Sequence, residues 1–158
     1  LSTTLTVLLR SGGGEPPMIA KVSDSIIDIH DYVDLHRDTL FEWNKFDCTT
    51  FAFGWIDLHY GSTFVEDHIS GSYSCEKTAR RFAEVSGPEW AYLEAKVATT
   101  QVVGGFHNKG DILCYSYECW NPIALVLSPN RVACVTETGL HIVKPEHILG
   151  KQKYIRIS

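Results

Sequence analysis

Asp47-Cys48-Thr49-Thr50-Phe51 is the stretch of this chain whose residue types and spacing suit chemistry. Asp47 is a natural N-cap, and a helix that starts there holds Cys48 in its first turn. Backbone N–H groups without helical partners and the positive end of the macrodipole favour a thiolate at that place. The same N–H groups are candidate oxyanion donors. Cys48 is therefore a candidate nucleophile. Its competing reading is a small apolar residue packed under the helix start, the usual fate of a cysteine.

A thiol nucleophile works with an imidazole in hydrogen-bond reach and a third group that orients the ring. Three histidines follow the helical part of the chain. His107 lies in a Gly-rich loop, His141 in a strand pattern and His147 in a Pro-flanked segment. His107 and His141 are the candidate bases, and each also reads as a solvated or structural residue. His30, His36, His59 and His68 read as helix faces or loop. Of the remaining thiols, Cys114 and Cys119 are loosely spaced and have no CxxC partner. Cys114 shares its strand phase with Ile112, and Cys134 sits among Val132 and Val135. Core residues are the better reading than a zinc or iron–sulfur site. No cofactor is expected.

The elements that must position these groups follow from periodicity. Residues 24–41 carry apolar side chains at Ile26, Ile27, Tyr32, Val33, Leu35 and Leu40, a roughly helical spacing with Ser23 or Asp24 as cap. Residues 42–46 form a short connector with Trp43. An amphipathic helix is expected over 48–60, with Phe51, Trp55 and Leu58 on one stripe and Gly61 ending it. Residues 61–73 read as loop. A third helix is expected from an N-cap at Ser74 to about Val85, and a short fourth one over 89–97. Beyond Gly104-Gly105 the period changes. Residues 111–115, 123–127, 131–136, 140–143 and 154–157 read as strands, with a tight hairpin at Ser128-Pro129-Asn130 and a reversal at Thr138-Gly139. Helices followed by a meander of strands predict an α+β domain.

The bulk numbers bound the function. The chain has 158 residues, enough for one core, and a formal charge of -5 that argues against a nucleic-acid partner. Its longest apolar run falls well short of the about 18 residues a membrane span needs, so no membrane insertion is expected. Five cysteines are an odd number for a disulfide framework, so the thiols read as reduced and the site of synthesis as cytoplasmic. Residues 1–10 lack a basic segment and a cleavage pattern, so no signal peptide is expected. They alternate Leu5, Val7 and Leu9 with Thr4, Thr6 and Leu8 and read as an extra strand or an upstream extension. Residues 11–17, Ser-Gly-Gly-Gly-Glu-Pro-Pro, read as a linker. The expected division is an N-terminal arm and linker over 1–17 and a domain over 18–158.

The order of motifs resembles the NlpC/P60 cysteine peptidases. Trp43, three residues, Asp47-Cys48, two residues and Phe51-Ala52 are followed by Lys109-Gly110-Asp111-Ile112-Leu113 and then Pro122-Ile123-Ala124-Leu125-Val126-Leu127. Gly71-Ser72-Tyr73-Ser74 and Gly139-Leu140 narrow the likeness to a small phage and prophage family within that group, whose genes lie among tail genes. The resemblance covers residues 28–157. It implies a papain-like fold with N-terminal helices packed on a C-terminal antiparallel sheet or partial barrel. In active members a His opens the strand after the Gly-Asp strand, in a His-apolar-Gly-apolar pattern. Here that place reads Asn121-Pro122-Ile123-Ala124, and no third polar residue stands out near Cys134 or Val135. Only Cys48 carries over, with Asp47 as its cap.

Two functions follow from the resemblance. In one, the chain is a structural component of a phage tail tip, a virion protein made in the bacterial host cytoplasm that contacts other tail proteins. In the other, it is a cysteine amidase that cleaves peptidoglycan stem peptides, with Cys48 as nucleophile and His107 or His141 as base.

Overall fold

The computed structural model of the chain describes residues 27–86, 99–102, 105–116, 120, 122–148 and 150–157. The N-terminal arm, the linker and the expected helix over 89–97 lie outside these residues, as do Trp90, Cys119 and Asn121. The described part is α+β, with three α-helices followed by an antiparallel sheet.

Helix α1 spans Ile29–His36, a shorter stretch than the apolar pattern of residues 24–41 suggested. Asp28 holds its N-cap place in extended backbone, and the helix ends where Thr39 N–H bonds back to the His36 carbonyl. Leu35 and Leu40, which extended the expected helix, are 69% and 85% exposed and belong to no apolar stripe. Ile29, Tyr32 and Val33 form the buried face.

Helix α2, Cys48–Tyr60, has the expected bounds. Asp47 and Thr50 make a reciprocal capping box, and Gly61 at φ 74° ends the helix in the left-handed conformation. It is not amphipathic, however. Thr49, Thr50, Phe51, Ala52, Phe53, Trp55, Ile56 and Tyr60 are all buried, so α2 is the central helix of the core, wrapped on most sides. Tyr32 of α1 crosses it closely. Its hydroxyl donates to the Phe51 carbonyl at 2.6 Å, and a Cβ on Gly54 would come within 2.7 Å of that oxygen.

The expected loop after α2 contains a π-helical turn, Val65–Ile69. Asp57 builds it. Its half-buried carboxylate accepts from the Phe64 N–H at 2.8 Å and the Val65 N–H at 2.9 Å, and from the Ser62 hydroxyl. Burial, only partly offset by these donors, raises the Asp57 pKa above its ordinary value. Helix α3 spans Glu76–Ser86 and starts one residue later than Ser74 predicts as cap. The Thr78 hydroxyl accepts from both the Ser74 and Cys75 N–H groups, while the Cys75 carbonyl accepts the first helical bond.

The strands are β1 (Thr99–Val102), β2 (Ile112–Tyr115), β3 (Ile123–Ser128), β4 (Arg131–Thr136), β5 (Gly139–Val143) and β6 (Gln152–Ile157). β1 was not foreseen. The sheet order is β1-β6-β2-β3-β4-β5, every pair antiparallel. β2 to β5 form the meander that the turn signals predict, with Pro129-Asn130 joining β3 to β4. The sheet is open among the described residues, with β1 and β5 at its edges. Alternation sorts the side chains onto two faces. Ile112, Cys114, Ile123, Leu125, Ala133, Val135 and Ile155 join the helices in the main core. Leu113, Ala124, Val126, Val132 and Cys134 form a second cluster on the far face, with Tyr115, Val143, Ile148 and Tyr154 against it.

Asp111, of the Gly-Asp motif, is 3% exposed and structural. It takes Arg156 of β6 in a two-pronged pair, both contacts at 2.9 Å, and accepts from the Asn108 N–H. The pair ties the approach to β2 to the end of β6.

Candidate functional site

The start of α2 is fixed by one carboxylate. Asp47 is 3% exposed. Its Oδ1 accepts from the Thr50 N–H at 2.8 Å, and its Oδ2 accepts from the Asn44 N–H at 2.8 Å and the Tyr73 hydroxyl at 2.7 Å. Asn44 is the one described residue other than glycine with positive φ, 66°, which lets the connector turn back so that its N–H points at Asp47. The Asn44 side chain spans to the next segment, donating to the Ile69 carbonyl and accepting from the Gly71 N–H. Connector, helix start and the 69–73 segment are thus sewn together around Asp47. Sequence reasoning named Asp47 as cap but missed Asn44 and Tyr73, although Tyr73 stands in a motif that carried the resemblance.

Cys48 follows, half-buried, a thiol rather than a disulfide, with its Sγ 4.0 Å from the Thr49 hydroxyl. Two fields act on a negative charge there in opposite senses. The helix terminus favours it and the adjacent Asp47 carboxylate opposes it.

Aromatic rings flank this terminus on both sides. Trp43 lies 6.0 Å from Trp120, three residues before the start of β3, and Phe41 meets Trp43 edge-on at 4.9 Å. The Arg80 guanidinium of α3 lies over the Trp120 ring at 5.5 Å. On the α1 side, His36 stacks on Phe46 at 5.4 Å and meets Phe51 edge-on at 5.9 Å. Burial among these rings lowers the His36 pKa, favouring the neutral imidazole. His36 read as a plain helix face in the sequence. Its helical phase, one turn from Tyr32, was the signal for this packing.

The two late histidines offered as bases lie elsewhere. α2 runs along the sheet from the Trp120 end to the far end, where the Tyr60 hydroxyl donates to the Ile157 carbonyl at 3.5 Å. Cys48 and Tyr60 are therefore about 18 Å apart along the axis. His107 stacks flat on Tyr154 at 3.9 Å and its Nε2 donates to the Pro129 carbonyl. Tyr154 packs on the far-face cluster, and Pro129 is in the turn after β3, at the Tyr60 end. His141 is the cross-strand partner of Cys134, which belongs to the far face, so its ring projects away from α2. It shares a hydrogen bond with the Thr138 hydroxyl at 2.6 Å. Pleat parity and the length of the sheet thus keep both rings from Cys48. His147 is exposed on a turn beside Ile148, which packs on that same far face.

Cys114 and Cys134 are buried, as the core reading expected, while Cys119 lies outside the described residues. Cys114 faces the helices and Cys134 the far cluster, so the sheet separates them. Burial pushes the Cys134 thiol up to about 11. Among the described residues no three His, Cys, Asp or Glu side chains are grouped to hold a metal. Cys75 differs: it is exposed, and the Thr78 hydroxyl lowers its pKa. Trp55 is core, while Trp43 and Trp120 are half-buried at the α2 terminus. No helix among the described residues is long and apolar enough to cross a membrane.

A family model described as "Domain of unknown function (DUF6950)" matches residues 21–150. No curated protein and no solved structure matches the chain.

Proposed function

The chain belongs to the DUF6950 family, a domain of unknown function, and on that premise we propose that it is a structural component of a phage or prophage-derived tail, built on a degenerate NlpC/P60-like, papain-like frame. The observation that carries the loss of activity is the facing of His107 and His141. Both are engaged on the sheet face opposite α2. A general base supplies typically ~10²–10⁴-fold in rate, and neither ring stands where it would take the Cys48 proton. Support for the ancestry is the Asp47-capped helix opening on Cys48, laid on an antiparallel sheet whose strand β2 directly follows Gly110-Asp111. The tail assignment rests on the motif order alone. Its partners are neighbouring tail proteins.

A cysteine amidase acting on peptidoglycan stem peptides is the second reading. It is favoured by the half-exposed position of Cys48 in the first turn of a capped helix.

One experiment separates the two. Alkylation of the native chain at about pH 6 is followed by peptide-resolved mass spectrometry and compared with the denatured chain. Resolution by peptide matters because exposed Cys75, with its lowered pKa, would dominate any bulk thiol assay. The structural reading expects Cys48 to react no faster than in the unfolded chain, with no cleavage of stem peptides. Faster reaction of native Cys48 together with cleavage lost on Cys48→Ala would overturn it. Mass spectrometry of purified particles tests the tail assignment separately. Particles that contain their other tail proteins and lack this chain would refute it.

A further inference from the structure

The two edge strands of the sheet differ in what they offer to a further strand. β1 reads Thr-Thr-Gln-Val and is mostly polar. β5 reads Gly-Leu-His-Ile-Val, with no Lys, Glu or Pro and no break in its register with β4. A strand of that kind lacks the devices that keep sheet edges from pairing. The hairpin decides which of its backbone groups are free. Thr136 and Gly139 flank the Glu137-Thr138 turn and so exchange hydrogen bonds, as do the alternate pairs Cys134–His141 and Val132–Val143. The N–H and C=O groups of Leu140 and Ile142 therefore point away from β4. Their side chains share the helix face with Val135 and Ala133, their partners on β4. α2 lies over β3 and β4, and Ile142, beyond them, is 37% exposed.

We infer that this chain dimerises edge to edge, β5 pairing antiparallel with β5 of a second copy about a two-fold axis that passes between the two His141 residues. The occupant is a second copy because the edge is complementary to itself. In this register Leu140 of each copy stands opposite Ile142 of the other, and their outward groups exchange N–H···O=C bonds in both directions. The side chains of both copies then meet on the helix face as an apolar cluster that neither forms alone. The two His141 rings face each other on the far side of the sheet, and Gly139 leaves room for Val143. At each end Lys144 comes level with Thr138, beside Glu137 of the same turn. Both charges are exposed and enter no ion pair among the described residues, so opposite signs meet there. Neighbouring registers lose this match. A centre at Leu140 sets Ile142 against Thr138, and a centre at Ile142 sets Leu140 against Lys144. A centre between residues would put the helix face of one copy against the far face of the other. The contact is isologous, consumes the edge it forms on and closes at the dimer. The inference does not depend on the tail reading.

Sedimentation velocity of the full chain over a wide concentration range reads the association, and the wild type is expected to form a dimer. Ile142→Lys places a charge on the pairing edge and should raise the dissociation constant at least about ten-fold. Gln101→Lys, the same change at an exposed residue of the β1 edge, should leave it unchanged. Oxidative cross-linking, located by peptide mass spectrometry, tests the register in a Cys75→Ser background, because Cys75 is itself exposed. His141→Cys should link to its own counterpart, since residues facing each other in such a pair have Cα atoms about 4.5 Å apart, within reach of a disulfide. Leu140→Cys faces Ile142 instead and should link at least about ten-fold less. The cross-linking result stands even where Ile142→Lys fails to fold. A wild type that stays monomeric throughout, a Gln101→Lys variant that dissociates as readily as Ile142→Lys, or equal linking at positions 140 and 141 would each overturn the inference.

Discussion

Replacing Asp47 by alanine should cost far more than an ordinary helix cap. The cap bond to the Thr50 N–H is worth about 1 kcal/mol. Loss of the carboxylate also strands the Tyr73 hydroxyl, 6% exposed, without its acceptor, at about 1–3 kcal/mol. The Asn44 N–H is only partly buried and adds less. The expected loss is about 2–4 kcal/mol. Asp47→Asn retains one acceptor oxygen for the cap and should fall between alanine and wild type. Tyr73→Phe alone should cost about 1 kcal/mol, and in the double variant the two losses should fall short of additive by about 1–2 kcal/mol. Urea unfolding followed by tryptophan fluorescence reads all four variants against the wild type, since Trp43 and Trp55 sit beside or within α2. A loss below about 1 kcal/mol for Asp47→Ala, or additivity within about 0.5 kcal/mol, would show that Asp47 is a surface-type cap and refute the network.

Three other outcomes follow from the packing. Gly54→Ala should destabilise by about 1–3 kcal/mol through its clash with the Tyr32 hydroxyl, and Tyr32→Phe in the same chain should recover part of the loss, both read from unfolding midpoints. The buried Cys134 thiol, raised from 9.0 to about 11, contributes nothing below pH 9, where it is neutral in both states. Above that the unfolded thiol ionises first, so stability falls as pH rises from 9 towards 11, by about 2–3 kcal/mol in the alkaline limit. The difference between wild type and Cys134→Ala should show this slope, and a difference independent of pH would contradict it. Arg156→Met leaves the buried Asp111 carboxylate without its cation and should lower the thermal midpoint by several degrees or more. An unchanged midpoint would mean that the pair is not structural.

What the sequence disclosed was local, and what it hid was set at a distance. The bounds of α2 are written in Asp47, Thr50 and Gly61, and β4 has the bounds its β-branched pattern predicts. α1 was read too long because Leu35 and Leu40 are apolar yet solvent-facing. Residue type signals a buried stripe only when the fold supplies something to cover it. The π-helical turn arises from the Asp57 carboxylate reaching seven and eight residues ahead, an arrangement no periodicity records. β1, Thr-Thr-Gln-Val, has no apolar alternation, and it is a strand because β6 pairs with it. At the candidate site, Cys48 and Asp47 could be read from the helix signal. The facing of His107 and His141 depended on strand register and on which sheet face α2 covers, which belong to the tertiary fold.

The place of β6 has a consequence for how the chain matures. It lies between β1 and β2, so β1 has no neighbour until Gln152–Ile157 has been synthesised. During translation the β2–β5 meander can form as it emerges, while β1 and the outer edge of β2 wait with unpaired backbone. The Asp111–Arg156 clasp is likewise delayed. Closure of the sheet is therefore a late event bridging widely separated segments, the kind of step that slows folding and exposes a nascent chain to aggregation. A ribosome stalled short of Gln152 would display an open sheet edge.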